Sequence, residues 1–179
     1  MDDLSLHILD VAENCINADA KNIEILVNED IKNDKLTIEI NDDGKGMDEE
    51  MVEAIKDPFV TSRTTRKVGL GIPLLKEAAE MSGGSLEINS KTGVGTKVKA
   101  VFQYSNIDRK PLNKTEETII SLILLGKNTD IELKYKKNEK EFEFSTKELK
   151  KELGVETLND VTLLNQLKII LKNKLTEIQ

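Results

Sequence analysis

The run Lys35-Leu-Thr-Ile-Glu-Ile40 alternates polar and apolar residues and then breaks into Asn41-Asp-Asp-Gly-Lys-Gly-Met47. Period-two alternation marks a strand, so the paired aspartates and two glycines fall where that strand ends. Gly44 and Gly46 tolerate positive φ and let the main chain approach a ligand more closely than any residue with a Cβ. A carboxylate fixed at such a place accepts a hydrogen bond from an exocyclic amine, such as that of adenine. Two other readings compete. Asp-Gly pairs are common turn chemistry. The stretch Glu39-Ile-Asn-Asp-Asp-Gly44, with Glu50 further on, also approaches the calcium-loop pattern of an EF-hand. That pattern departs in two places, with Glu for Asp at the first ligand position and Gly46 where an apolar residue belongs. The preceding run also has the period of a strand, where an EF-hand requires a helix.

Composition narrows what can surround this loop. At 179 residues the chain suits one full domain plus an appendage. Aromatics are 3% and Trp is absent, so the core must rest on Ile, Leu and Val. A net charge of -7 argues against nucleic acid or an anionic membrane surface as the main partner. The single cysteine, Cys15, excludes an internal disulfide and any thiol-only metal site. The N-terminus has no basic start and no signal-like apolar core, and the longest apolar run, residues 119–125, is interrupted by Ser121 and too short to cross a bilayer. The expectation is a soluble, cytoplasmic protein.

Residues 4–18 have helical periodicity, with Leu4, Ile8, Leu9, Val11, Ala12, Cys15 and Ile16 on one apolar arc and His7, Asp10, Asn14 and Asn17 on the other side. The polar face is unusual because Asp and Asn are poor helix formers. One turn apart, they offer a carboxylate and an amide oxygen to one point, an arrangement suited to a hydrated magnesium ion. A strand is expected over residues 22–27, with 35–40 as its hairpin partner. A short helix over 48–56 ends at Asp57-Pro58.

Residues 59–67 have no periodicity and carry Arg63, Arg66 and Lys67, making them either a solvated loop or a lid. They lead into Val68-Gly-Leu-Gly-Ile-Pro73, where two glycines at a helix start expose main-chain N–H groups to an anion. Gly83-Gly84 stops that helix, and residues 85–89 and 97–102 pair around Thr92-Gly-Val-Gly-Thr96. Further on come a linker over 105–113, a helix over 114–125, a hairpin over 130–144, a short capped helix and a long amphipathic helix over 157–178.

The order of a helix Asn, Asp-x-Gly-x-Gly, a lid, Gly-x-Gly at a helix start and Gly-x-Gly-Thr resembles the Bergerat ATP-binding fold (GHKL) shared by gyrase B, Hsp90, sensor histidine kinases and MutL. The resemblance spans residues 4–104. Asp57-Pro-Phe-Val-Thr61 and Val68-Gly-Leu-Gly-Ile72 look most like histidine kinases, and residues 9–20 look more like MutL. It implies an α+β, two-layer α/β sandwich with a mixed sheet and helices on one face over residues 1–104, a linker over 105–113, and a small α+β C-terminal lobe over 114–179. That lobe matches no well-known second domain of the fold, and is either structural or a surface for a dimer or partner.

By the same resemblance, ATP and Mg2+ are the cofactors. Asn14 would hold the magnesium and Asp42 the adenine amine, while Gly44 and Gly46 would shape the loop and admit the base. Thr96 would support Asp42 directly or through water. Gly69, Leu70 and Gly71 would carry the phosphates under the lid, with Arg66 or Lys67 neutralising charge.

ATP-hydrolysing members place a Glu one turn before the Asn, where this chain has Asp10. The carboxylate is one methylene shorter, about 1.5 Å, and a misplacement of ~1 Å can cost on the order of 10²-fold in rate, so slow hydrolysis is expected. A helical hairpin carrying a phosphoacceptor His is not expected, since the chain opens at the ATP-binding helix. His7 is read as orienting Asp10 or water. The leading functional expectation is a stand-alone, kinase-like regulator acting on a partner protein or phosphoacceptor in trans, with a homodimer as one option. The alternatives are an ATP-dependent sensor without turnover and a slow MutL-like dimeric ATPase.

Overall fold

The computed structural model describes residues 3–56 and 70–178. Their chain order is α1 (Leu4–Asn17), β1 (Asn22–Asp30), β2 (Lys35–Asp42), α2 (Glu49–Ile55), α3 (Gly71–Met81), β3 (Ser85–Lys91), β4 (Gly95–Gln103), α4 (Thr115–Leu125), β5 (Asp130–Lys137), β6 (Lys140–Ser145), α5 (Thr146–Leu153) and α6 (Val161–Ile178). The strands form one mixed sheet in the order β3-β4-β2-β1-β5-β6, antiparallel except for the β1–β5 pair.

Alternation decides which face is covered. Ile25 stands opposite Ile40 and Val27 opposite Ile38, and the same rows continue through Val98, Ala100, Leu133 and Tyr135. All of these are buried, and α1, α3, α4 and α6 complete the core around them. The other face carries charge instead. Glu39 pairs with Lys97 at 2.6 Å and Lys99 at 3.1 Å, and Lys134 pairs with Glu24 at 2.7 Å and Glu132 at 3.0 Å. A sheet with one apolar and one charged face buries only the first, so the architecture is α+β in two layers, as expected.

The C-terminal residues keep their expected α+β content but share sheet and core with the first 104. β5 runs parallel to β1, with Ile23 opposite Ile131 and Ile25 opposite Leu133. A parallel pair needs a long crossover, which here includes α4, packed on α1. Bonds from the linker and from α4 fasten this connection to α1: the Leu4 N–H donates to the Pro111 carbonyl at 2.8 Å and the Thr118 hydroxyl to the Ser5 carbonyl at 2.8 Å. The last helix starts at Val161, four residues later than its periodicity suggests.

The expected polar face of α1 divides. Asp10 and Asn14 are half-buried and Asn17 is exposed, whereas His7 is only 3% exposed, with Nδ1 lacking a hydrogen-bond partner among the described residues. A helical wheel presumes one buried and one solvated side. α1 has the sheet beneath it and packs against both α3 and α4, so part of its polar side is covered too. The structure shows no bond from His7 to Asp10 among the described residues, and its expected orienting role finds no support there. Burial lowers the His7 pKa, favouring the neutral ring.

Candidate functional site: a cleft at the end of the sheet

Where β2 and β4 run out beneath α1, a cleft of about 540 Å³ opens, within the usual range for small-molecule sites. Val11, Met47, Met51, Ile55, Ile72 and Val98 give it apolar walls, and Asn14, Asn17, Asp42, Lys45 and Thr96 supply the polar groups. Four of the expected site residues, Asn14, Asp42, Gly46 and Thr96, are therefore brought together. Asp10, Gly44, Leu70 and Gly71 are not among the described lining residues. Arg66, Lys67, Gly69, the 59–67 segment and the Asp57-Pro58 break lie outside the described residues.

The paired aspartates separate by role. The strand period that buries Ile38 and Ile40 puts Asp42 on the same face, at the mouth of the cleft. Asp43 is used up structurally: Oδ1 accepts from the Lys21 N–H at 2.7 Å and the Asn22 N–H at 2.9 Å, and Oδ2 accepts from the Asn22 amide at 2.7 Å. Asp42 Oδ1 accepts one local bond, from the Gly44 N–H at 2.7 Å, so Gly44 serves the turn. Beside it, burial first, and then the Asp42 charge and hydrogen bond, push the Cys15 thiol well up. Cys15 is a neutral wall residue.

Gly46 is required by the backbone around it. It has φ +63°, and a Cβ there would stand 2.0 Å from the Lys91 carbonyl oxygen. The loop is clamped by its own backbone as well, with the Lys45 N–H donating to the Ala18 carbonyl at 2.9 Å and the Lys45 carbonyl accepting from the Gly93 N–H at 2.7 Å. Lys45 also forms an exposed ion pair with Asp19. The calcium-loop reading fails on this geometry: the segment before the loop is β2, Asp43 is committed elsewhere, and the described residues contain no cluster of three His, Cys, Asp or Glu able to hold a metal.

Thr96 stands directly opposite Asp42 in the β2–β4 ladder, and Ser90 directly opposite Thr96 in β3–β4. Ser90 was not anticipated from the sequence. Its Oγ lies 2.8 Å from Thr96 Oγ1, accepts from the Met47 N–H at 2.8 Å and donates to the Gly95 carbonyl at 3.0 Å. The signal was present in the hairpin: β3 runs two residues beyond the expected Asn89, and the register Lys91–Gly95 then carries Ser90 to Thr96.

α3, whose Ile72 lines the cleft, begins at Gly71 with no side-chain cap among the described residues, and its first N–H groups have no intrahelical acceptor. A Cβ at Gly71 would fall 2.8 Å from Asp10 Cβ. Glycine at this position thus seats the start of α3 against the carboxylate-bearing turn of α1. The Asp10 pKa is raised, first by burial and then by Glu13. The sign follows: a carboxyl whose folded pKa exceeds its unfolded value destabilises the fold once ionised in both states, and the penalty vanishes where it is protonated in both. Asp10→Asn is therefore expected to melt higher than wild type at pH 7, with the difference closing below the usual carboxylate range. A variant melting at or below wild type at pH 7 would contradict this.

Asn14 offers a test for a metal. Its Nδ2 is buried without a partner among the described residues, and a half-turn of the amide places an oxygen there instead. A single amide oxygen fits magnesium, which takes few protein ligands and keeps waters and phosphate oxygens.

The family model described as histidine kinase-, DNA gyrase B- and HSP90-like ATPase matches residues 2–106. The chain belongs to that family. Within this ATPase family it resembles sensor histidine kinases: ArlS of Staphylococcus aureus is 36% identical over 95 residues, covering 50% of this chain and 21% of ArlS. YvrG of Bacillus subtilis is 29% identical over 94 residues, covering 50% of this chain and 16% of YvrG. The chain thus spans about a fifth or less of these curated relatives. Among solved structures, the N-terminal domain of a DNA repair protein superposes with a TM-score of 0.54 at 16% identity, covering 82% of this chain and 53% of that one, which supports the fold. No helix among the described residues is long and apolar enough to cross a membrane.

Proposed function

We propose that the chain binds Mg-ATP in the cleft and acts as a kinase-like regulator, passing the γ-phosphoryl group, or the nucleotide state, to a partner protein. The observation that carries this is the convergence of Asn14, Asp42, Gly46 and Thr96 on one cleft that Ile72, in the first turn of α3, also lines. Asp42 accepts from the adenine amine, and Thr96 supports that edge. Apolar side chains such as Met47, Met51 and Ile72 cover the base. Asn14 is the protein ligand for magnesium, which neutralises phosphate charge when bound. The N–H groups at Gly71 and Ile72, which have no intrahelical acceptor, face anionic phosphate oxygens in this reading. Arg66, Lys67 and Gly69 complete the phosphate end in this reading.

The raised Asp10 pKa makes its carboxylate a stronger proton acceptor than an ordinary Asp, but its side chain is one methylene shorter than the Glu of hydrolysing members. Phosphoryl transfer depends more on positioning than on a strong base, which favours transfer over hydrolysis. Incubation with γ-labelled ATP, alone and with cell lysate, separates the outcomes. Label on a second protein is expected. Release of free phosphate at an ordinary enzymatic rate without lysate would instead mark an ATPase, and absence of both would mark a sensor without turnover.

A further inference from the structure

We propose that Ser90 is a positioning residue that sets base selectivity, by turning the hydroxyl of Thr96 into an acceptor so that the cleft selects a 6-amino purine over a 6-oxo purine. The inference rests on the reading of the cleft as a purine nucleotide site and goes beyond it in naming what makes the site choose. It follows from counting hydrogens. Ser90 Oγ has one hydrogen and two lone pairs. The Met47 N–H, 2.8 Å away, only donates, and the Gly95 carbonyl, 3.0 Å away, only accepts. We assign the serine hydrogen to Gly95, because two oxygens 3.0 Å apart need one between them, and one lone pair to Met47. The remaining lone pair faces Thr96 Oγ1 at 2.8 Å, so Thr96 is the donor in that pair. With its hydrogen spent on Ser90, Thr96 has only lone pairs for the cleft.

Asp42, its cross-strand neighbour, is a carboxylate and also only accepts. The edge formed by Asp42 and Thr96 is therefore acceptor-only. It matches a base whose six-position carries an amine, or a water that donates toward the base and toward Thr96. It repels a base whose six-position carries a carbonyl oxygen. The selectivity lies in proton direction, and Ser90 holds that direction from a position outside the described lining of the cleft.

The test compares ATP with inosine triphosphate, which exchanges the six-amine for an oxygen, by calorimetric titration of the whole chain. Wild type is expected to prefer ATP by about 100-fold or more. Ser90→Ala removes the acceptor for the Thr96 hydrogen, frees that hydroxyl to donate into the cleft, and is expected to reduce the preference by about tenfold, with ATP affinity falling by a similar factor. Ser90→Cys, close in volume but with a weak acceptor, is expected to shift the preference in the same direction and serves if the alanine variant does not fold. A ratio within about twofold of wild type in the folded variants, with wild-type ATP binding intact, overturns the role of Ser90 alone. Failure of wild type to bind either nucleotide, or full ATP affinity in Asp42→Asn, overturns the purine-site reading beneath it.

Discussion

Asp42→Asn is expected to lower ATP affinity by on the order of 100-fold, about 2.8 kcal/mol, while leaving the fold intact. The separation of the two effects comes from what each oxygen does. The Gly44 N–H donates to Oδ1 and the Cys15 thiol lies against the carboxylate, and an Asn at this position keeps an oxygen to accept from Gly44. What disappears is the charge facing the ligand, together with an acceptor-only edge, since an amide brings a donor. Asp43→Asn makes the contrast: its carboxylate accepts three bonds from Lys21 and Asn22, so loss of Oδ2 as an acceptor is expected to cost stability by about 1–2 kcal/mol with little change in affinity. Calorimetry and thermal melting on the two variants read this directly. The reverse pattern would place the ligand carboxylate at Asp43.

Gly46→Ala is expected to be the most destabilising single change in the site. The backbone is in the left-handed region at φ +63°, which costs a residue with a Cβ about 1–2 kcal/mol. The added methyl group would lie 2.0 Å from the Lys91 carbonyl oxygen, a clash with backbone that only a shift of the β3–β4 turn relieves, at about 1–3 kcal/mol. Together these give roughly 2–5 kcal/mol, or a melting temperature lower by on the order of 5–20 °C for a chain of this size. Nucleotide affinity should fall with it, because the same turn positions Thr96 beside Asp42. A variant melting within ~2 °C of wild type would show that the loop has room that the clamp among Lys45, Ala18 and Gly93 denies it.

The two residues illustrate how much was legible in the sequence. Asp42 was identifiable because strand period carries through Leu36, Ile38 and Ile40 to position 42, so its face follows from counting. Asn14 and the start of α3 were legible for a similar reason: helical period and a Gly-x-Gly before Pro73 are local signals. Gly46 was recognisable as necessary, but the cause lay in a partner 45 residues away at Lys91, which no local pattern reveals. His7 misled because a wheel reads one helix alone, whereas α1 packs against both α3 and α4, the latter contributed by residues beyond 114. The relation of the C-terminal segment to the sheet was hidden for the same kind of reason. Parallel pairing of β5 with β1 is set by non-local register, whereas an alternating hairpin reads identically whether it joins that sheet or forms one of its own. Ser90 was lost to a strand end placed two residues early, although its hydroxyl joins three partners.

Asn14, Asp42, Gly46 and Thr96 line one cleft, and the proposed function makes that cleft an Mg-ATP site. The most direct measurement is a calorimetric titration of ATP into the wild-type chain, with magnesium present and then with it chelated. Saturable binding at one site per chain, weakened when magnesium is removed, is the expected result. No saturable binding, or an affinity indifferent to magnesium, would contradict it.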